Sequence, residues 1–201
     1  MYAEKSQRSY DRQAPGYDSD ANWNGRIARQ AYGRVMERLE SVEFSSILDV
    51  GCGTGEMLSR IKKNGVRRAG IDISTQMVDI AGQKLGNECD LKTGDATALP
   101  WSDGTFDVVL CNYSFHHYEH PEKVLGEMRR VLKKGGRLVI GDCWMQTPLR
   151  LIMNVFIRFG NDGDYHFYSK REICGLLKKS GFTVTEWSRV NEHAMIVTAT
   201  L

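Results

Sequence analysis

Ten consecutive residues restrict this chain more than any others: Ile47-Leu48-Asp49-Val50-Gly51-Cys52-Gly53-Thr54-Gly55-Glu56. An apolar strand-like run passes into glycines spaced G-x-G-x-G and then into a helical pattern. A strand that turns at once into a helix needs backbone angles most side chains disfavour, and a missing side chain lets a ligand lie against the main chain. The pattern predicts a βα unit with a binding site over its turn. Asp72 follows 21 residues beyond Gly51, at the end of the next apolar run, where a carboxylate can take both hydroxyls of a ribose. A nucleoside-containing ligand is the expectation.

Position 56 separates the nucleoside cofactors. A dinucleotide fingerprint carries its third glycine there, with a pyrophosphate over the helix start. This chain has Glu56. An anion beside a pyrophosphate is unfavourable, whereas S-adenosyl-L-methionine, with a cationic centre and no phosphate, loses nothing. An NAD-dependent oxidoreductase is disfavoured on that ground.

The rest of the chain repeats the βα rhythm. Ile47 to Val50 reads as a strand, Glu56 to Lys63 as a helix stopped by Asn64-Gly65, Arg67 to Ile73 as a strand, and Ser74 as the start of a helix. A short strand near Asp90 to Thr93, an apolar strand Phe106 to Asn112, a helix Pro121 to Lys133 closed by Gly135-Gly136, and a strand Arg137 to Asp142 follow. Continuous apolar strands such as Val108-Val109-Leu110 fit a parallel sheet buried on both faces. The fold class is therefore α/β, a Rossmann-like, doubly wound, mostly parallel seven-stranded sheet. Phe182 to Val190 and Ala194 to Thr200 read as a C-terminal antiparallel hairpin, after a helix opened by the capping box Ser169-Lys170-Arg171-Glu172 and ended by Gly181.

At the other end, residues 1–25 are polar with no sustained apolar period, and an amphipathic helix is expected where Ile27, Ala31, Val35 and Leu39 recur. Pro148 to Phe159 is helical in length but apolar almost all round, so it is expected to need cover on several sides. One domain over 1–201 results. Residues 1–44 form an N-terminal helical cover, 45–144 the cofactor-binding core, 145–168 a substrate-side insertion, and 169–201 the closing helix and hairpin.

Composition excludes several classes. With 41% hydrophobic and 26% charged residues the chain folds, and 27 basic against 25 acidic residues, net +2, give no field for gathering polyanions. Basic pairs such as Lys62-Lys63, Arg129-Arg130 and Lys178-Lys179 sit mostly at helix ends, where cations complement the dipole, so a nucleic-acid partner is disfavoured. No run approaches a membrane span, and five dispersed cysteines without a C-x-x-C pair suggest neither disulfides nor zinc. A cytoplasmic location follows as an expectation. The oligomeric state stays open between monomer and homodimer.

Three further stretches turn this reading into a resemblance: Gly94-Asp95-Ala96, Leu99-Pro100-Trp101-Ser102-Asp103-Gly104-Thr105-Phe106-Asp107, and Tyr10-Asp11-Arg12-Gln13-Ala14-Pro15-Gly16-Tyr17-Asp18. From about Tyr10 to Lys134 the chain resembles the class I S-adenosylmethionine-dependent methyltransferases. The similarity points to the group that includes ubiquinone/menaquinone-biosynthesis methyltransferases and their small-molecule relatives. The resemblance implies that Asp49, Gly51, Cys52, Gly53 and Asp72 hold the cofactor. It also implies that Asp95 takes the adenine amino group, Ala96 N–H a ring nitrogen, and that Ile73 and Met77 pack on adenine and ribose. Tyr17 would close over it. Relatives that methylate arsenite need converging thiols, which the spacing of Cys89, Cys111, Cys143 and Cys174 does not establish.

Ligands of open α/β sheets bind beyond the carboxyl ends of strands, so the transferable methyl is expected near Asn112. His116 and His117 come just after it and are the candidate catalytic residues, each acting as a base or instead packing against the following helix. Metal ligation is not expected, because neighbouring residues in an extended or turning segment point apart. The acceptor is expected to be a small, partly hydrophobic molecule lined by the segment after Asn112, by Trp144 and Met145, and by the apolar helix with Asp164 to Tyr168. Two other readings share the fold: a non-catalytic S-adenosylmethionine-binding regulatory module and an RNA-base methyltransferase.

Overall fold

The computed structural model describes residues 2–157, 160 and 163–201. Strands β1 (Ser46–Val50), β2 (Arg67–Asp72), β3 (Cys89–Thr93), β4 (Phe106–Asn112), β5 (Leu132–Cys143), β6 (Thr183–Arg189) and β7 (Ala194–Thr200) form one sheet in the order β3-β2-β1-β4-β5-β7-β6. β1 to β5 pair in parallel, and β7 runs antiparallel between β5 and β6. This is the expected doubly wound sheet with its terminal hairpin. Chain order reverses between β1 and β4, whose carboxyl ends therefore send their loops in opposite directions and open a crevice.

Side chains of the central strands alternate between two apolar layers, as the two-residue repeat of a strand requires. Leu48, Val109 and Leu138 face a core with Val124 and Met128 of α6 (Pro121–Val131) and Ile173 and Leu177 of α8 (Lys170–Lys179). Ile47, Val108 and Val139 face the other core, with Val35 and Leu39 of α3 (Tyr32–Glu40) and Leu58 of α4 (Glu56–Arg60). Helix α5 (Thr75–Leu85) starts at Ser74, whose hydroxyl accepts from Met77 N–H. The capping box at Ser169 and Glu172 forms as its spacing dictates.

Four elements depart from the expectation. The polar N-terminus forms helix α1 (Tyr2–Gln13), whose buried positions are Ser6 and Ser9, so its packing face carries hydroxyls instead of an apolar repeat. The single helix read from Ile27 to Leu39 is broken into α2 (Trp23–Arg29) and α3. The helix expected to run to Lys133 stops at Val131, and β5 already includes Gly135-Gly136. Glycine is needed at 136 because a Cβ there would lie 2.9 Å from the Asp107 carbonyl oxygen on the neighbouring strand. Finally, α7 (Thr147–Phe156) does not receive the expected all-round cover: Ile152 is 56% and Phe156 63% exposed. Its inner side is held by polar groups, Arg150 Nη1 2.9 Å from Glu172 Oε2 and Asn154 exchanging two hydrogen bonds with the Phe167 main chain. Phe159 lies outside the described residues. Among the described residues no helix is long and apolar enough to cross a membrane.

Candidate active site

A cavity of about 320 Å³ opens at the carboxyl ends of β1, β2, β3 and β4. Every residue expected to hold the cofactor borders it: Tyr17, Asp49, Gly51, Cys52, Gly53, Asp72, Ile73, Met77, Asp95, Ala96 and Asn112. The ends of four strands and the turns after them bring Asp49 to Asn112 together, and the N-terminal segment adds Tyr17.

The glycine loop is shaped by positive φ at Gly51 (79°), Gly53 (52°) and Gly55 (74°). Gly51 and Gly53 differ in what surrounds them. A Cβ on Gly51 would collide with the Ser114 side chain, whereas one on Gly53 would meet nothing within 4 Å and would project into open space. Gly51 N–H and Cys52 N–H both donate to the Ile71 carbonyl, which ties the loop to β2. Asp72 Oδ2 accepts from Gly53 N–H at 2.8 Å and Oδ1 from Ser74 N–H at 2.9 Å, so the carboxylate braces both turns that border the ribose position. Burial pushes its pKa up, and those two backbone donors pull it back.

Asp49 is the electrostatic anomaly of the site. It is 2% exposed, its Oδ1 has no hydrogen-bond partner, and burial, then the nearby Asp72 charge, pushes its pKa up to about 8. A buried carboxyl group facing a cavity without a cation of its own is a receptor for a cationic ligand. Asn112 Oδ1 is a second buried acceptor without a partner on the same wall. Glu56, by contrast, is engaged: Arg60 lies 2.8 Å and Lys84 2.9 Å from its oxygens, which hold its pKa below the usual range against the opposing effect of burial. Its charge is thus matched within the protein, and the cation preference of the site rests on Asp49. These features fit S-adenosyl-L-methionine: a cationic ligand for Asp49, acceptors at Asp72 and Asp95 for ribose and adenine, and clearance over Gly53.

The N-terminal segment closes one side of the cavity. Tyr10, Tyr17, Ser6 and Ala3 line it together with Tyr32, and two anchors hold the segment down. Ser74 Oγ donates to Asp11 at 2.6 Å, and Asp18 accepts from Thr54 Oγ1 and from Lys84 Nζ, each at 2.8 Å. Burial, then the Asp72 charge, raises the Tyr17 phenol, keeping it neutral. Trp144, Met145, α7 and Asp164 to Tyr168 do not border this cavity, contrary to the expectation for the acceptor side. Trp144 instead packs under Arg189, 4.6 Å from guanidinium to ring centroid. The walls near Asn112 are built by Tyr113, Ser114 and Tyr118, with Ser114 Oγ 2.8 Å from Tyr118 Oη. Tyr32 and Ser6 are among the site residues sequence reasoning missed, since neither belongs to a motif.

The two histidines separate. His117 borders the cavity, with Nε2 2.8 Å from Tyr10 Oη. Burial, then the charge of His116, pushes its pKa down to about 4. His116 does not border the cavity. Its Nδ1 lies 2.6 Å from Asp142 Oδ1, and although burial opposes it, the Asp142 carboxylate holds its pKa well above the usual imidazole range. The rings do not point apart as expected: their centroids are 4.0 Å apart with a 40° tilt, in the 3₁₀ segment Phe115–His117 that follows β4. All five cysteines are free, and burial, first of all, raises the Cys52 thiol well above its usual value, in keeping with a packing role. The thiols do not converge: among the described residues the ion-sized groupings hold at most one cysteine.

Comparison with known proteins agrees with this geometry. Residues 48–140 match the methyltransferase domain family. The chain is 33% identical over 152 residues to a demethylmenaquinone methyltransferase of Renibacterium salmoninarum, covering 74% of this chain and 63% of that one. It is 27% identical over 210 residues to the demethylmenaquinone methyltransferase of Thermotoga maritima, covering 89% and 88%. The chain thus spans less than two thirds of the first relative and most of the second. Among solved structures, the [4+2]-cyclase SpnF superposes with a TM-score of 0.78 at 20% identity, over 100% of this chain and 96% of that one, a likeness of fold alone. The matched domain over residues 48–140, the glycine loop, the acids Asp49, Asp72 and Asp95 at the carboxyl ends of β1, β2 and β3, and a crevice suited to a cationic nucleoside together make this chain similar to the class I S-adenosylmethionine-dependent methyltransferases.

Proposed function

We propose that this protein transfers a methyl group from S-adenosyl-L-methionine to a small, partly hydrophobic acceptor held between the turn after β4 and helix α1. The observation that carries the reading is the buried Asp49 carboxyl group, whose Oδ1 has no hydrogen-bond partner, at the head of a glycine loop in a cavity also lined by tyrosine hydroxyls and His117. When bound, the cofactor supplies an electrophilic methyl on a sulfonium. The chain's own work is to orient the acceptor in line with it and to exclude water.

Tyr10, Tyr113 and Tyr118 offer flat faces for a ring and hydroxyls for a ring oxygen, which suits a quinol or phenol-like acceptor. The demethylmenaquinone methyltransferase relatives support that class. An acceptor that loses a proton would give it to the pair His117 and Tyr10, and His116 acts behind them as a positioning residue, fixed by Asp142. Cofactor contacts are assigned to Tyr17, Asp49, Gly51, Cys52, Gly53, Asp72, Ile73, Met77, Asp95, Ala96 and Asn112. The whole chain is read as one domain working in the cytoplasm, where its five free cysteines stay reduced. The basic pairs do not support an RNA partner, since Arg68, Arg130 and Lys133 are already paired with acids of this chain.

The test combines calorimetric titration with S-adenosylmethionine and S-adenosylhomocysteine and a labelled-methyl assay over quinols, phenols and aromatic amines. His117→Ala is expected to lower the maximal rate by about a hundredfold or more with cofactor affinity within about twofold. Cofactor binding without turnover on any acceptor class would favour a binding module. Near-wild-type turnover of His117→Ala would remove the histidine from the chemistry.

A further inference from the structure

Three donor atoms meet beside the cavity in a geometry that the methyl-transfer reading does not require. His117 Nδ1 lies 3.2 Å and His116 Nε2 3.6 Å from the same oxygen, Asp164 Oδ1. Two donors about 2.1 Å from one ion at near-tetrahedral angles are themselves about 3.4 Å apart. The 3.6 Å separation is too long for a hydrogen bond and the 3.2 Å one lies at the long limit of one, while both match the spacing of two donors on one divalent ion of zinc size. His117 Nδ1 is buried and makes no hydrogen bond of good geometry, and the ring's neighbours on this side are the Asp164 carboxylate and the Gly163 main chain.

The second ring nitrogen of each histidine is held from outside. Asp142 sits 2.6 Å from His116 Nδ1, and Tyr10 Oη 2.8 Å from His117 Nε2. That is the arrangement in which an outer carboxylate or hydroxyl fixes the tautomer and turns the inner nitrogen toward an ion. The third donor is delivered by close backbone packing: Gly163, at φ 77°, has room for no side chain against the Ser6 backbone, and this contact sets Gly163, next to Asp164, against α1. A rival grouping, His116, Asp142 and Cys143, is also ion-sized, but its 2.6 Å histidine–carboxylate separation is a hydrogen bond and too short for two ligands of one ion.

We propose that His116 Nε2, His117 Nδ1 and Asp164 Oδ1 form a binding site for a zinc-like divalent cation, with Asp142 and Tyr10 as its outer shell. Two imidazoles and one carboxylate suit a borderline ion and leave coordination positions for water. The ion would clamp the turn after β4 to the segment before α8, at the edge of the cavity and outside the cofactor's own contacts. It would also leave the proton of His117 on Nε2, toward Tyr10, so that loading decides whether this ring accepts or donates.

The full chain, stripped with a chelator, should retain one zinc ion per molecule after incubation with zinc chloride and desalting, measured by elemental mass spectrometry. Competition with a chromogenic chelator should give an affinity that falls at least about tenfold in Asp164→Asn and His117→Ala, and about ten- to a hundredfold in Asp142→Asn. Cys143→Ser, from the rival grouping, should bind as the wild type does. Cobalt substitution should give a visible spectrum that Asp164→Asn abolishes. Melting curves in chelator establish that each variant is folded, and Asp164→Asn, at a partly exposed position, is the variant least able to disturb the core. No retained ion in the wild type, or equal retention in folded Asp164→Asn and His117→Ala, overturns the site. Neither measurement depends on an acceptor or on methyl transfer.

Discussion

Asp49 shows how one side chain makes a site discriminate by charge. With its pKa near 8 in place of the ordinary 3.8, the group is largely protonated at neutral pH, and a cationic ligand must strip that proton to gain a carboxylate. S-adenosylmethionine affinity is therefore expected to rise with pH up to about 8 and then level off. Calorimetry at pH 7 in two buffers of different ionisation enthalpy should register a proton released on binding, and Asp49→Asn should abolish it. The sign for the unliganded fold is the opposite. A pKa raised on folding stabilises fully below 3.8, and that contribution is lost as pH rises through about 8. Buffer-independent heats would show that Asp49 does not face the bound cation. Asp72 works differently, since both its oxygens already brace the loop. Asp72→Ala should cost about 1.5 to 3 kcal/mol of cofactor binding, more than tenfold in affinity, and some loop stability as well. Wild-type affinity in that variant would take Asp72 out of the site.

At the scale of elements, the glycine loop divides its work between packing and clearance. Gly51 lies under Ser114, so the turn after β1 and the turn after β4 touch because a side chain is missing there. Gly51→Ala should destabilise the fold by about 2 to 4 kcal/mol, from overpacking and strain at positive φ together. Gly53 faces open space, and Gly53→Val should leave a folded protein, less stable by about 1 to 2 kcal/mol, whose side chain occupies the ligand's place. Chemical denaturation paired with titration separates the two. Equal loss of stability in both variants, with binding retained by Gly53→Val, would make the loop a turn and nothing more. A different kind of clasp holds the connection between β3 and β4. Arg130 donates to the Leu99 and Trp101 carbonyls and pairs with Glu127 and Asp103, so a residue read as a solvated helix end is a structural cross-link.

For the whole molecule, the cavity is a product of assembly: four strand ends supply its floor and α1 supplies a wall. Since α1 is anchored to the β2 side through Asp11 and Ser74 and to the β4 side through Tyr10 and His117, it bridges the crevice. Hydrogen exchange of residues 2–17 should slow on addition of S-adenosylhomocysteine, while the buried central strands β1 and β4 should change little. Unaltered exchange in that segment would mean that α1 does not close on the ligand. Much of this architecture was readable beforehand. The order of strands and helices, the doubly wound sheet, the Ser74 and Ser169 caps and the glycine loop depend on positive φ, capping and apolar periods, which act between residues a few positions apart. The contact face of α1 was not, because Ser6 and Ser9 carry it and hydroxyls leave no apolar period. Nor were the stacking of His116 on His117, the shared Asp164, or the meeting of Tyr10 with His117 across 107 residues. Those contacts depend on which strand ends the sheet order sets side by side and on how closely Gly163 lets one backbone approach another. Local sequence therefore determined what each segment is, and tertiary structure alone decided which segments meet, because contact between distant residues is set by packing geometry and not by any property of either residue's neighbours.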